Sequence, residues 1–126
     1  MKHNIKTTNI FLTPSITDYV DKRLSHLDKF ISPEEKETVM CYVEIGKTTN
    51  HHKTGDIFRA ELNLHIGGEA LRAELEKDDL YAAIDGVGDE MAREIKSHKT
   101  KKTGLVKRSG AKLKAFVKSF TGGSEE

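Results

Sequence analysis

Residues 57–76, IFRAELNLHIGGEALRAELE, decide the fold. Phe58, Ala60, Leu62, Leu64 and Ile66 alternate with Arg59, Glu61, Asn63 and His65. After Gly67-Gly68 the alternation resumes, with Leu71, Ala73 and Leu75 set against Arg72, Glu74 and Glu76. Successive side chains of a strand point to opposite faces, so this period of two describes strands buried on one side only. Two such runs joined by Gly-Gly read as a β-hairpin, because the two-residue hairpin turn needs backbone angles that glycine reaches without steric cost. A clean wet face argues for antiparallel strands.

The neighbouring segments extend this pattern. Residues 37–46 alternate Val39, Cys41, Val43 and Ile45 with Thr38, Met40, Tyr42 and Glu44, which predicts a third strand. Residues 2–10 read as a short N-terminal strand. Between these two, Thr13-Pro14 is a helix start, and Ile16, Val20, Leu24, Leu27 and Ile31 recur on one helical face until Pro33 limits it. After the hairpin, Asp78-Asp79 suits the positive end of a second helix. Its stripe is Leu80, Ile84, Val87, Met91 and Ile95, it contains Gly86 and Gly88, and it is expected to end near residue 100.

The order β-α-β-β-β-α is an α+β two-layer sandwich: a four-stranded sheet with two helices on one face and water on the other. Residues 1–102 are the expected folded domain. Gly104 and Gly110 suggest a linker, and residues 103–126 read as a flexible, basic amphipathic tail. In that tail Leu113, Phe116, Val117 and Phe120 follow helical spacing, the pattern of a segment that docks in a partner groove or of a solvated extension.

The formal net charge is +1 over 126 residues, which by itself argues against a nucleic-acid binder. The distribution says otherwise. Residues 1–50 sum to zero, 51–91 to −6, 92–118 to +9 and 119–126 to −2. With both helices on one sheet face, Lys22, His26 and Lys29 share a surface with Arg93 and Lys96, and Lys99, Lys101 and Lys102 continue it. Cations on a stiff support at phosphate spacing suit an RNA backbone; solvated helix faces with a dipole-stabilised basic end would look the same. Glu61, Glu74 and Glu76 are expected to make the opposite sheet face acidic.

Other chemistry finds little support. No apolar run approaches a membrane span, and the N-terminus shows no apolar signal segment, so a cytoplasmic protein off the membrane is expected. The single cysteine, Cys41, reads as core, and a reducing compartment fits it. His51-His52 lacks the spacing and companion ligands of a metal site. No nucleophilic triad, paired carboxylate or phosphate loop emerges, so neither an enzyme nor a cofactor nor a small-molecule substrate is expected.

KDDLYAAIDGVGDEMAREIKSHKTKK (Lys77–Lys102) resembles the second helix and basic end of the ribosome hibernation promoting factor and ribosome-associated translation inhibitor family. LTPSITDYVDKRLSHLDKF (Leu12–Phe30) is similar to that family's first helix. The resemblance spans about residues 2–102. It implies the same element order, a fold related to double-stranded-RNA-binding domains. It also implies a bacterial, non-enzymatic, stress-response or stationary-phase factor. Such a factor binds the small ribosomal subunit and its ribosomal RNA near the decoding centre and occludes the mRNA and tRNA sites. Arg23 and Lys29 match basic positions of the first family helix, and His26 stands where Lys is common. Arg93, His98, Lys99 and Lys101 match the second helix. Glu90 and Ser97 stand where Lys is frequent, Glu94 where Gln is frequent, and Gly88 where an apolar residue is usual. The dimerising second domain of long members is not seen, so the chain reads as a short form. Two other functions stay open: a protein-interaction regulator, which the resemblance implies would be of the sigma-factor-modulating type, and a generic double-stranded RNA binder.

Overall fold

The hairpin forms as its alternation requires. In the computed structural model, which describes residues 1–48 and 55–121, and side chains of residues 1–48 and 55–101, β3 (Phe58–Ile66) and β4 (Glu69–Lys77) pair antiparallel with Ile66 opposite Glu69. Gly67 and Gly68 turn the chain with φ of 56° and 78°, the left-handed pair that a tight hairpin turn uses. β2 (Met40–Lys47) pairs antiparallel with β3. β1 (Lys2–Thr8) completes the order β1-β2-β3-β4 but lies parallel to β2, so the sheet is mixed. The reason is connectivity: a helix between two neighbouring strands returns the chain to the starting end of the first, and the second then runs alongside it.

That helix is α1 (Pro14–Leu27). Thr13 caps it, its Oγ1 accepting the Ile16 N–H at 3.2 Å, and Pro14 occupies the first turn, where no intrahelical N–H bond is needed. Its expected stripe is buried, with Ile16, Val20, Leu24 and Leu27 all in the core and Ile31 following. A 3₁₀ turn (Asp28–Phe30) closes it. Where the sequence shows only a stop at Pro33, a single-turn helix α2 (Pro33–Lys36) begins, with Ser32 Oγ donating to Glu35 Oε1 at 3.0 Å. One turn is too short to display periodicity.

α3 starts at Leu80, capped by Asp79, whose Oδ2 accepts the Ala82 N–H at 2.9 Å. Ile84, Val87, Met91 and Ile95 enter the core as their spacing predicts, and Leu80 packs against it partly buried. They meet Val43, Ile45, Leu62 and Leu64 from the inner sheet face. Cys41 is fully buried there, and burial pushes its thiol pKa up to about 12, the behaviour of a core side chain rather than a nucleophile. α3 does not end near residue 100. It continues to Thr121, through the glycines at which a linker was expected. Met1–Ile95 form one compact unit, and a second begins at Lys96.

The outer sheet face corrects one expectation. It is not acidic. Glu44, Glu61, Glu74 and Glu76 share it with Lys2, Lys6, Arg59 and Arg72, and charge pairs with charge. Arg59 bridges Glu61 at 2.6 Å and also Glu74; Arg72 bridges Glu61 at 2.5 Å and Glu74 at 3.0 Å. Partial burial raises the pKa of Glu61, but hydrogen bonds from Asn63, Arg72 and Arg59 outweigh this and hold it at about 2. Glu61 is therefore a buried, ionised centre of a cross-strand network.

Candidate nucleic-acid interface

Four of the candidate RNA-contacting residues lie on α1 or the turn after it. Lys22, His26 and Lys29 are exposed, and Lys29 Nζ stands 5.2 Å from the Phe30 ring centroid. Arg23 is different. Its guanidinium Nη2 donates to the Asp85 carbonyl oxygen at 2.9 Å and to Asp89 Oδ1 at 2.8 Å, and its Nε lies 3.3 Å from Asp85 Oδ1. Nη1 donates to His26 Nδ1 at 3.3 Å. One turn earlier, Tyr19 donates its hydroxyl to Asp85 Oδ2 at 2.7 Å and meets Tyr81 edge-on, with ring centroids 4.8 Å apart. The hydrogen bond to the Asp85 carboxylate holds the Tyr19 phenol above its ordinary pKa.

These contacts clasp α1 to α3. Tyr19 and Arg23 stand four residues apart on one helix, Asp85 and Asp89 four apart on the other, so each pair lies on one helical face. Gly88 makes the room. A Cβ built on it would lie 2.6 Å from Arg23 Nη2, closer than any real contact. An apolar residue at position 88 would displace the guanidinium. The family resemblance implies Arg23 as an RNA contact and the sequence pattern makes Gly88 a weak point in the helix; the geometry gives both a part in joining the helices. The pattern does not mark Tyr19, Asp85 or Asp89, although their matching spacing of four on two adjacent helices is a usable signal.

The clasp predicts a change of sign. In the native background Gly88→Ala expels the Arg23 guanidinium and lowers stability. In an Arg23→Ala background the same change only improves helix propensity and raises stability by up to about 1 kcal/mol. Urea unfolding of the four proteins in that cycle measures it, and destabilisation in both backgrounds would refute the clasp.

Arg93 follows Asp89 by one turn. Its side chain is 68% exposed and pairs with Glu90 at 2.9 Å, a surface pair that water and salt weaken. Within the first unit the two helices therefore do not form a uniformly basic face. Asp18 and Asp21 balance Lys22 and Arg23 on α1, and Asp85, Asp89, Glu90 and Glu94 outnumber Arg93 on α3.

The second unit has the opposite character. From Lys96 to Thr121 the helix carries nine Lys and Arg and no Asp or Glu. Lys96, Lys99 and Lys101 are exposed, and His98 is half-buried. The side chains of Lys102, Leu113, Phe116, Val117 and Phe120 lie outside the described residues, as do His51 and His52. Among the described residues no three His, Cys, Asp or Glu side chains gather as metal ligands, and no helix is long and apolar enough to cross a membrane.

A family model described as sigma 54 modulation protein / S30EA ribosomal protein matches residues 3–103. A ribosome hibernation promoting factor of Klebsiella oxytoca is 35% identical over 101 residues, covering 80% of this chain and 96% of the relative. A ribosome hibernation promotion factor of Bacillus subtilis is 29% identical over 101 residues, which is 50% of that longer protein. Among solved structures, the N-terminal domain of Thermus thermophilus Protein Y aligns with a TM-score of 0.64 at 30% identity, over 78% of this chain and 99% of that one. A ribosomal subunit interface protein from Coxiella burnetii aligns equally well, at 0.64, over 79% of this chain and 99% of that one; at 15% identity it supports the fold alone.

Proposed function

The chain belongs to the sigma 54 modulation protein / S30EA ribosomal protein family, and from that membership we propose that it is a cytoplasmic, non-enzymatic, ribosome-associated regulator of translation. It binds the small ribosomal subunit near the decoding centre, holds ribosomal RNA phosphates with its cations, and silences idle ribosomes by occupying the space of mRNA and tRNA. The observation that carries the RNA reading is the charge switch within α3. Up to Glu94 the helix is acidic, and from Lys96 to Thr121 it is wholly cationic. A helical segment with cations and no carboxylates attracts a polyanion, and Arg93 extends that positive charge by one turn into the acidic part of the helix.

Among the residues expected to contact RNA, Lys22, His26, Lys29, Arg93, Lys96, His98, Lys99, Lys101 and Lys102 are proposed as phosphate or sugar contacts. Arg23 is a positioning residue that holds α1 against α3. The chain spans half the length of the Bacillus subtilis relative, and pairing of ribosomes by this chain is not part of the proposal.

Co-sedimentation with purified ribosomes, followed by in vitro translation, tests the reading. The protein pellets with the small subunit and lowers peptide synthesis. Its binding weakens with salt along a log–log line whose slope is set by the number of phosphates engaged, roughly one unit per phosphate. An excess of plain RNA duplex leaves the pelleted fraction unchanged. Salt-independent pelleting would remove the phosphate mechanism, and full competition by duplex would replace it with generic double-stranded RNA binding.

A further inference from the structure

The outer face of the sheet divides into two halves along the strand register. In one half, Lys6, Glu44, Glu61 and Glu74 form a row across the four strands, and Arg59 and Glu76 stand opposite each other in the next. Among the described residues the other half carries no carboxylate. Its central row is Asn4, Tyr42, Asn63 and Arg72, and the row beyond brings Lys2 and His65 level. Tyr42 is 45% exposed, one of few large apolar side chains so open to water among the described residues. It meets His65 edge-on, with ring centroids 5.6 Å apart. Nothing in the core or in the helix clasp uses either ring.

We propose that this carboxylate-free half of the sheet is a second RNA-contacting surface, on which a single-stranded base stacks on the Tyr42 ring. The chemistry is complementary at three points. An exposed aromatic ring on an open sheet offers a π-face to any base, whatever its sequence. Asn4 flanks it with an amide that can both donate to and accept from a base edge, and Asn63, whose Nδ2 donates to Glu61 at 3.0 Å, offers its carbonyl oxygen as an acceptor. Lys2 supplies positive charge for a flanking phosphate, and the carboxylates that would repel it are confined to the neighbouring rows. Arg72 bridges Glu61 and Glu74, so it masks the nearest acidic charge. A polar peptide strand would find no unpaired main chain here, since Tyr42 and Asn63 lie on the two central strands, β2 and β3.

The proposal rests on the RNA-binding reading of the chain, and its test separates the two. The full chain is titrated with a mixed-sequence single-stranded RNA of about eight nucleotides, within the usual site size for such surfaces. NMR follows the Tyr42 and His65 rings and the amides of Asn4 and Asn63. These resonances shift, and Tyr42→Ala weakens binding by roughly 5- to 100-fold while Tyr42→Phe keeps it, the range that stacking of one base accounts for. Tyr42 is exposed, so both variants should unfold at the native urea concentration. Shifts confined to α1 and α3, or native affinity in Tyr42→Ala, would overturn the platform and leave ribosome binding through the helices standing. So would Tyr42 shifts produced by a peptide and not by the RNA. Loss of all RNA and ribosome binding by the native chain would overturn both readings.

Discussion

Arg93→Glu combined with Lys99→Glu removes the protein from pelleted ribosomes while the unfolding transition stays at its native position. Both side chains are exposed, and neither belongs to the clasp or the core. Each reversal replaces an attraction to phosphate by a repulsion. At roughly 1.5–3 kcal/mol for a hydrogen bond to a charged group, loss of the two contacts weakens binding by at least about 100-fold at moderate salt and flattens its salt dependence. The partner of Arg93 does not blunt the effect, because the Glu90 pair is solvent-exposed and easily exchanged for phosphate. Ribosome co-sedimentation at two salt concentrations, with circular dichroism as the fold control, reads the result. Pelleting equal to the native protein would exclude these residues from the interface. Arg23→Glu is the wrong comparison, because it breaks the α1–α3 clasp and mixes weakened helix packing with any weakened hold on RNA.

Gly46→Val has the largest expected effect on stability. Gly46 lies opposite Thr8 at the end of the parallel β1–β2 pair. A Cβ built there comes 2.5 Å from the Thr8 carbonyl oxygen and 3.0 Å from its Cβ. The obstacle at Thr8 is main chain, which cannot swing aside as the Arg23 side-chain end can at Gly88. Relief requires β1 to move away from β2 or the end of the pair to open. Overpacking of this kind costs about 2–3 kcal/mol, or a fall in Tm of roughly 10–20 °C. Thermal unfolding measures it, and a shift below a few degrees would mean that the strand ends part freely.

Much of the architecture is legible in the sequence. The hairpin, the Thr13 cap and both helical stripes form as their patterns predict, because each is written in a local period or a short motif. The single turn at Pro33 is not legible, since four residues cannot show a helical repeat. The extent of α3 escapes the pattern for a related reason: glycine at positions 104 and 110 lowers helix propensity without forbidding a helix, so it is a poor stop signal by itself. The site is less legible than the fold. Charge counting puts a block of cations after residue 92, and the helix carries them there. It cannot separate Arg23, bound into the clasp, from Lys22 beside it, which is exposed.

The sequence alone determined the four strands, the first helix and the start of the long helix, and which face of each is apolar. Those properties follow from periods of two and of about 3.6 residues, which depend on neighbours in the chain. The tertiary structure decided everything that depends on which elements meet. It set β1 parallel to β2, laid Asp85 and Asp89 against an arginine some sixty residues earlier, and found space for that arginine at a glycine. It also placed Arg59 and Arg72 against Glu61 and Glu74, so that an acidic stretch of sequence became a balanced sheet face with a carboxylate-free half around Tyr42. Charge is a property of residues, but a charged surface is a property of register, and register exists only once the strands have paired.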